Sequence, residues 1–146
     1  MQIEIKIDGS YKEPKIIVLT NKMTDEINTI IEKLSEKTPQ VIVGFFKDTL
    51  VILEQSDIIR IYAASSKIYA ITNTGEYTLR LRLYELEDRL NKNYFVRISN
   101  SEIINLSKVK GFDMSFVGTI CVTLSDGTVT FVSRRYVAKI KQVLGI

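Results

Sequence analysis

A mostly β fold with small helices (α+β) is what the sequence predicts, on three observations. From Gln40 onward apolar and polar residues alternate in short runs such as "KIYAIT" and "TICVTL", the period of two shown by half-buried strands. Turn chemistry separates those runs at close intervals: Lys47-Asp48, Ser65-Ser66, Asn73-Thr74-Gly75 and Ser125-Asp126-Gly127. Helical spacing is confined to brief stretches after Thr24, around Leu83 to Leu90, and after Ser133.

The elements follow in order. "QIEIKI" (2–7) alternates like a strand, "SYKEP" breaks it, and "KIIVL" (15–19) reads as a second strand. Thr24 is placed to cap a helix running to about Lys37, with Ile27, Ile30, Ile31 and Leu34 as its inner face. Pro39 ends that unit, so residues 1–41 read as a β-β-α extension, too small to hold much core by itself. "VIVGFF" and "LVIL" flank Lys47-Asp48 as a hairpin. "DIIRIYAAS", "KIYAIT" and "EYTLRL" are the next strands. Leu83, Leu86 and Leu90 then mark the inner stripe of a short helix, which leaves Glu85, Glu87 and Asp88 on its solvent side. "YFVRISNSEIINLSKVKGF" starts as a strand and loses its alternation. "TICVTL" and "TVTFV" form a hairpin around Asp126-Gly127, the strongest short hairpin signal in the chain. In "TICVTL" the alternation makes Cys121 a small core residue. The final helix starts after Ser133, a good N-cap residue, and stops at Gly145.

Composition narrows the function. The chain has no histidine, the commonest general base and metal ligand, and a single cysteine, so neither a zinc cluster nor a Cys–His pair can be built. No P-loop or dinucleotide fingerprint occurs, and the expectation is a protein that is not an enzyme and uses no cofactor or metal. "KGFDMSFV" begins like the RNA-recognition octapeptide but carries Asp113 where a small residue belongs. No apolar run is long enough to span a bilayer, no signal peptide is evident, and one cysteine suits a reducing compartment, so the expected location is cytoplasmic.

Charge is informative through its distribution. Of the net +3, residues 1–46 contribute 6 basic and 7 acidic side chains, and residues 47–146 contribute 14 and 10. Residues 131–146 carry Arg134, Arg135, Lys139 and Lys141 with no acid. Two guanidiniums at a helix start stand against the helix dipole, where acidic residues would stabilise. Such a breach of a local rule calls for an anion: a phosphate suits the helix start, and a guanine edge suits an arginine fork.

The order "DIIRIYAASSKIYAITNTGEYTLRLRLYELEDRLNKNYFVRISNSEIINLSKV" leading into "VTLSDGTVTFVSRRYVAKI" resembles the LytTR DNA-binding domain of LytR/AlgR/AgrA-type bacterial transcription regulators. The residues that carry the resemblance are Asp57-Ile58-Ile59, Leu86-Glu87 with Leu90, Phe95 with Arg97-Ile98, Ser101, Ile104-Asn105-Leu106 and Ser133-Arg134-Arg135-Tyr136. It implies about ten short strands in three sheets with small helices over residues 42–146, preceded by the extension of residues 1–41. It also implies DNA contacts made by loops inserted into major grooves of paired repeats. Carried over by position, the candidates are Ser65, Ser66 and Lys67 in the first loop; Asn100 facing a base with Ser99 and Ser101 near phosphate; and Arg135 toward a base with Arg134 and Ser133 beside it. Lys139, one turn further along the basic helix, completes the set. Asn105 reads instead as a residue that satisfies buried backbone. The family often has histidine and a basic residue where this chain has Ser99 and Asn100, so base preference does not transfer.

The resemblance further implies double-stranded DNA as partner and a short stand-alone regulator without a phosphoacceptor receiver domain, which needs roughly a hundred residues. Residues 1–41 cannot bury their apolar face alone, so they are expected either to cover the edge of their own β domain or to form a homodimer contact or a regulatory contact, the last with a membrane-protein antagonist encoded nearby. The alternative function is a protein-interaction module that docks an acidic partner through the basic final helix.

Overall fold

The computed structural model describes residues 1–34 and 41–146, so the expected helix end near Lys37 and the break at Pro39 lie outside the described residues. The chain divides into two units, residues 1–38 and 39–146.

In the first unit one regular element is described, α1 (Asp25–Leu34). Thr24 caps it as expected, its hydroxyl accepting the Ile27 N–H at 3.3 Å. The two expected strands do not form: residues 2–7 and 15–19 join no ladder. Alternation records only an amphipathic segment, and a two-stranded ribbon is marginal without a third strand or a covering helix. The intervening turn makes only local bonds, with the Ser10 N–H on Asp8 Oδ1 at 2.9 Å. Ile3, Ile5, Ile7 and Leu19 consequently stay exposed.

The second unit holds ten strands and two helices in the order β1 (Ile42–Phe46), β2 (Thr49–Leu53), β3 (Ile58–Ala64), β4 (Lys67–Thr72), β5 (Gly75–Leu79), α2 (Leu83–Arg89), β6 (Phe95–Ser99), β7 (Glu102–Asn105), β8 (Val109–Asp113), β9 (Ile120–Leu124), β10 (Val129–Val132) and α3 (Arg134–Leu144). The mostly β class and the strand number match the expectation; the sheet number does not. There are two sheets rather than three: a seven-stranded one ordered β2-β1-β5-β4-β3-β7-β6 and a three-stranded one ordered β10-β9-β8. The reason is a single pairing, Phe45 with Thr78, which fuses the β1–β2 hairpin to β5. Gly44 permits that close approach, since a Cβ there would sit 2.9 Å from both the Leu53 side chain and Tyr77 Cβ.

Two cores lie within this unit. One gathers Ile42, Ile58, Ile61, Leu79 and Ile103 under Leu83, Leu86 and Leu90 of α2. The other gathers Ile59, Val96, Ile98 and Ile104 with Ile120, Val122, Val132 and Ile140 from the small sheet and α3. All four residues of β7 are buried, because each face of that strand meets one core. Buried Glu102 is paired with Arg60 at 2.8 Å and accepts the Thr130 hydroxyl at 2.7 Å, which ties the two sheets together. Asn105 behaves as expected: its Nδ2 donates to Ile58 O at 2.8 Å and its Oδ1 accepts the Ser107 N–H at 3.0 Å. Cys121 departs from expectation. It sits half-buried between buried Ile120 and Val122, on the face of β9 turned away from the core.

Candidate nucleic-acid interface

Three connections of the second unit carry the candidate residues. The first is the β3–β4 hairpin. Ala64 pairs with Lys67, so Ser65 and Ser66 are its whole two-residue loop. Their φ angles are 51° and 64°, the left-handed region that a type I′ hairpin turn demands at both positions. Glycine or asparagine would meet that demand at lower cost, so the serines stand there against local preference. Both hydroxyls and the Lys67 side chain are exposed.

The second is the β6–β7 turn. Ser99 pairs with Glu102, leaving Asn100 and Ser101 at the tip, after an irregularity between Arg97 and Ser99. One guanidinium holds this tip. Arg97 donates from Nε to Ser99 O at 2.9 Å, from one terminal nitrogen to Asn100 O at 2.7 Å, and from the other to Glu87 Oε1 at 2.8 Å. Ser99 Oγ accepts the Ser101 N–H at 3.2 Å, and Ser101 O accepts the Ala63 N–H at 2.8 Å, so the turn is also bonded to the end of β3.

The third is the start of α3. Ser133 occupies the N-cap position with extended backbone, but its hydroxyl makes no cap bond. The sequence-based expectation of a hydroxyl cap is therefore corrected. The Ser133 N–H is instead spent on Ile98 O at 2.9 Å, and its carbonyl accepts the Tyr136 N–H at 2.9 Å, so the backbone anchors the helix start to β6. Tyr136 donates its hydroxyl to Asn100 Oδ1 at 3.2 Å, joining this helix to the β6–β7 turn. That leaves Asn100 both Nδ2 hydrogens and a second Oδ1 lone pair for an adenine edge. Arg134 lies beside the β8–β9 connection, where a Cβ on Gly118 would come within 3.4 Å of its Nε. Arg134 and Arg135 are exposed, and the ion pairs among the described residues, Arg60–Glu102 and Arg97–Glu87, involve neither.

The structure thus unites most of the candidates. Ser66, Lys67 and Asn100 line one groove, and Tyr136, which follows Arg135 in α3, bonds Asn100. Lys139 is not with them: it lines a separate cleft with Glu87, Asp88 and Lys92. Sequence reading missed the clamp role of Arg97 and the bridging hydroxyl of Tyr136, although both residues carried the family resemblance. It also missed Arg80 and Arg82, which line the Lys67–Asn100 groove and follow the end of β5 at Leu79. Their signal was the alternation Arg80-Leu81-Arg82, absorbed into a strand reading. Among the described residues no group of three or more His, Cys, Asp or Glu side chains is placed to hold a metal ion, and no helix is long and apolar enough to cross a membrane.

Comparison with known proteins gives a consistent result. The family model of the LytTr DNA-binding domain matches residues 48–145. HTH-type transcriptional regulators of Staphylococcus aureus, from strains NCTC 8325 and COL, are each 33% identical over 100% of this chain and 99% of their own length. The protein of strain MRSA252 is 32% identical with the same coverage. A solved LytTr DNA-binding domain of a Bacillus cereus methyl-accepting/DNA response regulator superposes with a TM-score of 0.70, covering 73% of this chain and 98% of that one at 23% identity, a likeness of fold. The helix-turn-helix of the relatives' names has no counterpart among the described residues of the second unit, where five strands separate α2 from α3.

Proposed function

This chain belongs to the LytTR family of DNA-binding domains, and on that premise we propose that it regulates transcription by reading duplex DNA with loops rather than with a helix laid in the groove. The family is one of DNA-binding domains and not of enzymes. The observation that supports the reading is the bond from Tyr136 to Asn100, which ties the β6–β7 turn to the first turn of α3, the helix that also carries the exposed Arg135. Asparagine can pair with adenine and arginine with guanine through two bonds each, so one such pair of side chains suits a short base sequence in a major groove. On this reading Ser65, Ser66, Lys67, Ser99, Ser101, Ser133 and Arg134 supply small hydroxyls and cations that position a phosphate backbone without reading it.

Arg135→Ala is the direct test. Titration of a duplex selected with the wild-type chain should show a loss of about 1–3 kcal/mol, with a smaller loss on random duplex. Arg135→Lys should not restore the difference, because lysine lacks the fork. An unchanged ratio of selected to random binding would reject the helix start as a reader. Full rescue by lysine, with binding indifferent to nucleic acid, would favour the rival role of docking an acidic protein.

The first unit is assigned a contact between two copies. Ile3, Ile5, Ile7, Ile16, Ile17 and Leu19 are exposed, and α1 buries none of its residues within the first unit. Apolar surface of that extent marks an interaction site. Two linked copies would raise occupancy of paired repeats through effective concentration. Removal of residues 1–38 should give a monomer in sedimentation that still binds one repeat and loses cooperative occupancy of two. A truncated chain that remains dimeric refutes the assignment. Dimerisation unaffected by the truncation with lost response to a membrane-bound antagonist would transfer the surface to that partner.

A further inference from the structure

We propose that the groove between the β3–β4 hairpin and the β6–β7 turn extends the DNA footprint onto Arg80 and Arg82, two residues that grip phosphates. The inference rests on the DNA-binding reading above. Four cations line this groove, Lys67, Arg80, Arg82 and Arg97, and no carboxylate does. Arg97 is neutralised by Glu87 at 2.8 Å, but Lys67, Arg80 and Arg82 are exposed and enter none of the ion pairs of the described residues. The neighbouring cleft shows the contrast: there Lys92 and Lys139 are interleaved with Glu87 and Asp88. Clustered like charge raises the energy of the folded state unless an anion shares the surface.

Arg80 is also held in place. Its guanidinium carbon lies 4.2 Å from the centre of the Phe45 ring, a cation–π contact that restrains the side chain and leaves its N–H groups uncommitted. These cations come from two separate segments, the β3–β4 hairpin and the stretch from the end of β5 to the start of α2, and share the groove with Asn100, a spread that suits a polymer backbone. Asn100 belongs to the same lining, so a duplex seated on the reading turn would carry one backbone flank along Lys67, Arg80 and Arg82. Contacts of that kind fix register and affinity and carry no base preference.

The test compares the full-length wild-type chain, the Arg80→Gln/Arg82→Gln double variant and the Arg80→Lys/Arg82→Lys double variant on a selected duplex and a scrambled one. Binding is followed by fluorescence anisotropy across a salt series. Losing two phosphate contacts should shallow the slope of log K against log salt by about 1.8, which makes the affinity loss between 50 and 200 mM salt about 12-fold smaller. The glutamine variant should weaken on both duplexes alike, with an ethylation-interference footprint shortened on one flank. The lysine variant should keep the wild-type slope, which separates charge from any effect on folding. An unchanged slope and footprint in the glutamine variant overturns the extension while leaving the DNA-binding reading intact. A loss confined to the selected duplex overturns the phosphate role in favour of base reading. Inorganic phosphate or pyrophosphate held by the wild type and lost from the glutamine variant, with DNA titrations unmoved, assigns the groove to a small anion and also overturns it. A wild-type chain that binds neither duplex removes the functional reading itself.

Discussion

Replacing Arg97 by alanine should separate DNA recognition from folding, because this side chain holds the reading turn without facing the groove as a free cation. Its guanidinium spends donors on Ser99 O, Asn100 O and Glu87 at 2.9, 2.7 and 2.8 Å. Bonds to a charged group contribute about 1.5–3 kcal/mol each when their partners stay dry. Here they do not stay dry. The Arg97 side chain is 15% exposed, but Glu87 is 38% exposed and Asn100 sits at a turn tip, so water replaces much of what is lost. The expected cost to stability is therefore about 2 kcal/mol, well below the sum of three such bonds. The cost to recognition comes from entropy. Fixing one residue's backbone costs about 1–2 kcal/mol, and Asn100 and Ser101 would have to be ordered at the moment of binding. Affinity for a selected duplex should fall by about 30-fold, equivalent to about 2 kcal/mol, while random duplex changes by less than about 3-fold. Denaturant unfolding gives the first quantity, and anisotropy titration well below the melting temperature gives the second. Arg97→Lys should resemble alanine in recognition, since an ammonium cannot bridge two carbonyls and a carboxylate in one plane. If the ratio of selected to random affinity survives in the folded alanine variant, the clamp does not position Asn100.

Two further expectations concern the turns. Ser66→Gly removes a left-handed non-glycine residue with φ of 64° and should raise stability by about 1 kcal/mol while weakening duplex binding; a variant that is stabilised and binds as before would show that the hydroxyl has no part in the contact. At the β9–β10 turn, burial works against the Asp126 carboxylate, but hydrogen bonds from Thr128 and the charge of Arg60 together hold its pKa below the ordinary 3.8. A lowered folded-state pKa contributes stability that is present above the unfolded value and lost as pH falls through the folded one. The stability gap between wild type and Asp126→Asn should hold from pH 7 to about pH 5 and close below about pH 4, as followed by urea unfolding; a gap that persists at pH 2 would mean the carboxylate charge is irrelevant there.

The parts of the fold that were legible in the sequence are those where one strand face meets a core and the other meets water. β4, β5, β9 and β10 alternate visibly, and Lys47-Asp48, Ser65-Ser66 and Asp126-Gly127 mark their hairpins. β7 was not legible, because Glu102, Ile103, Ile104 and Asn105 are all buried between two cores and no alternation survives. The opposite failure befell residues 2–7, whose alternation is clear but which find no partner strand. The sheet count turned on one contact, Phe45 with Thr78, which local pattern cannot encode. In the candidate site, Asn100 and Arg135 were proposed through the order of family motifs. The Arg97 clamp, the Tyr136 bridge and the Arg80–Arg82 groove were not, because each depends on which connections tertiary packing brings together.

The single hydroxyl of Tyr136 has a consequence for how operators of this protein should be described. It ties Asn100 directly to the first turn of α3. Energies of groups joined in this way do not add. If both read bases, as proposed above, those base pairs should be chosen in combination, with a substitution tolerated beside one neighbouring base and rejected beside another. A table that scores each operator position independently will misrank sites at those columns, and a table of paired positions is the natural description of its binding preference.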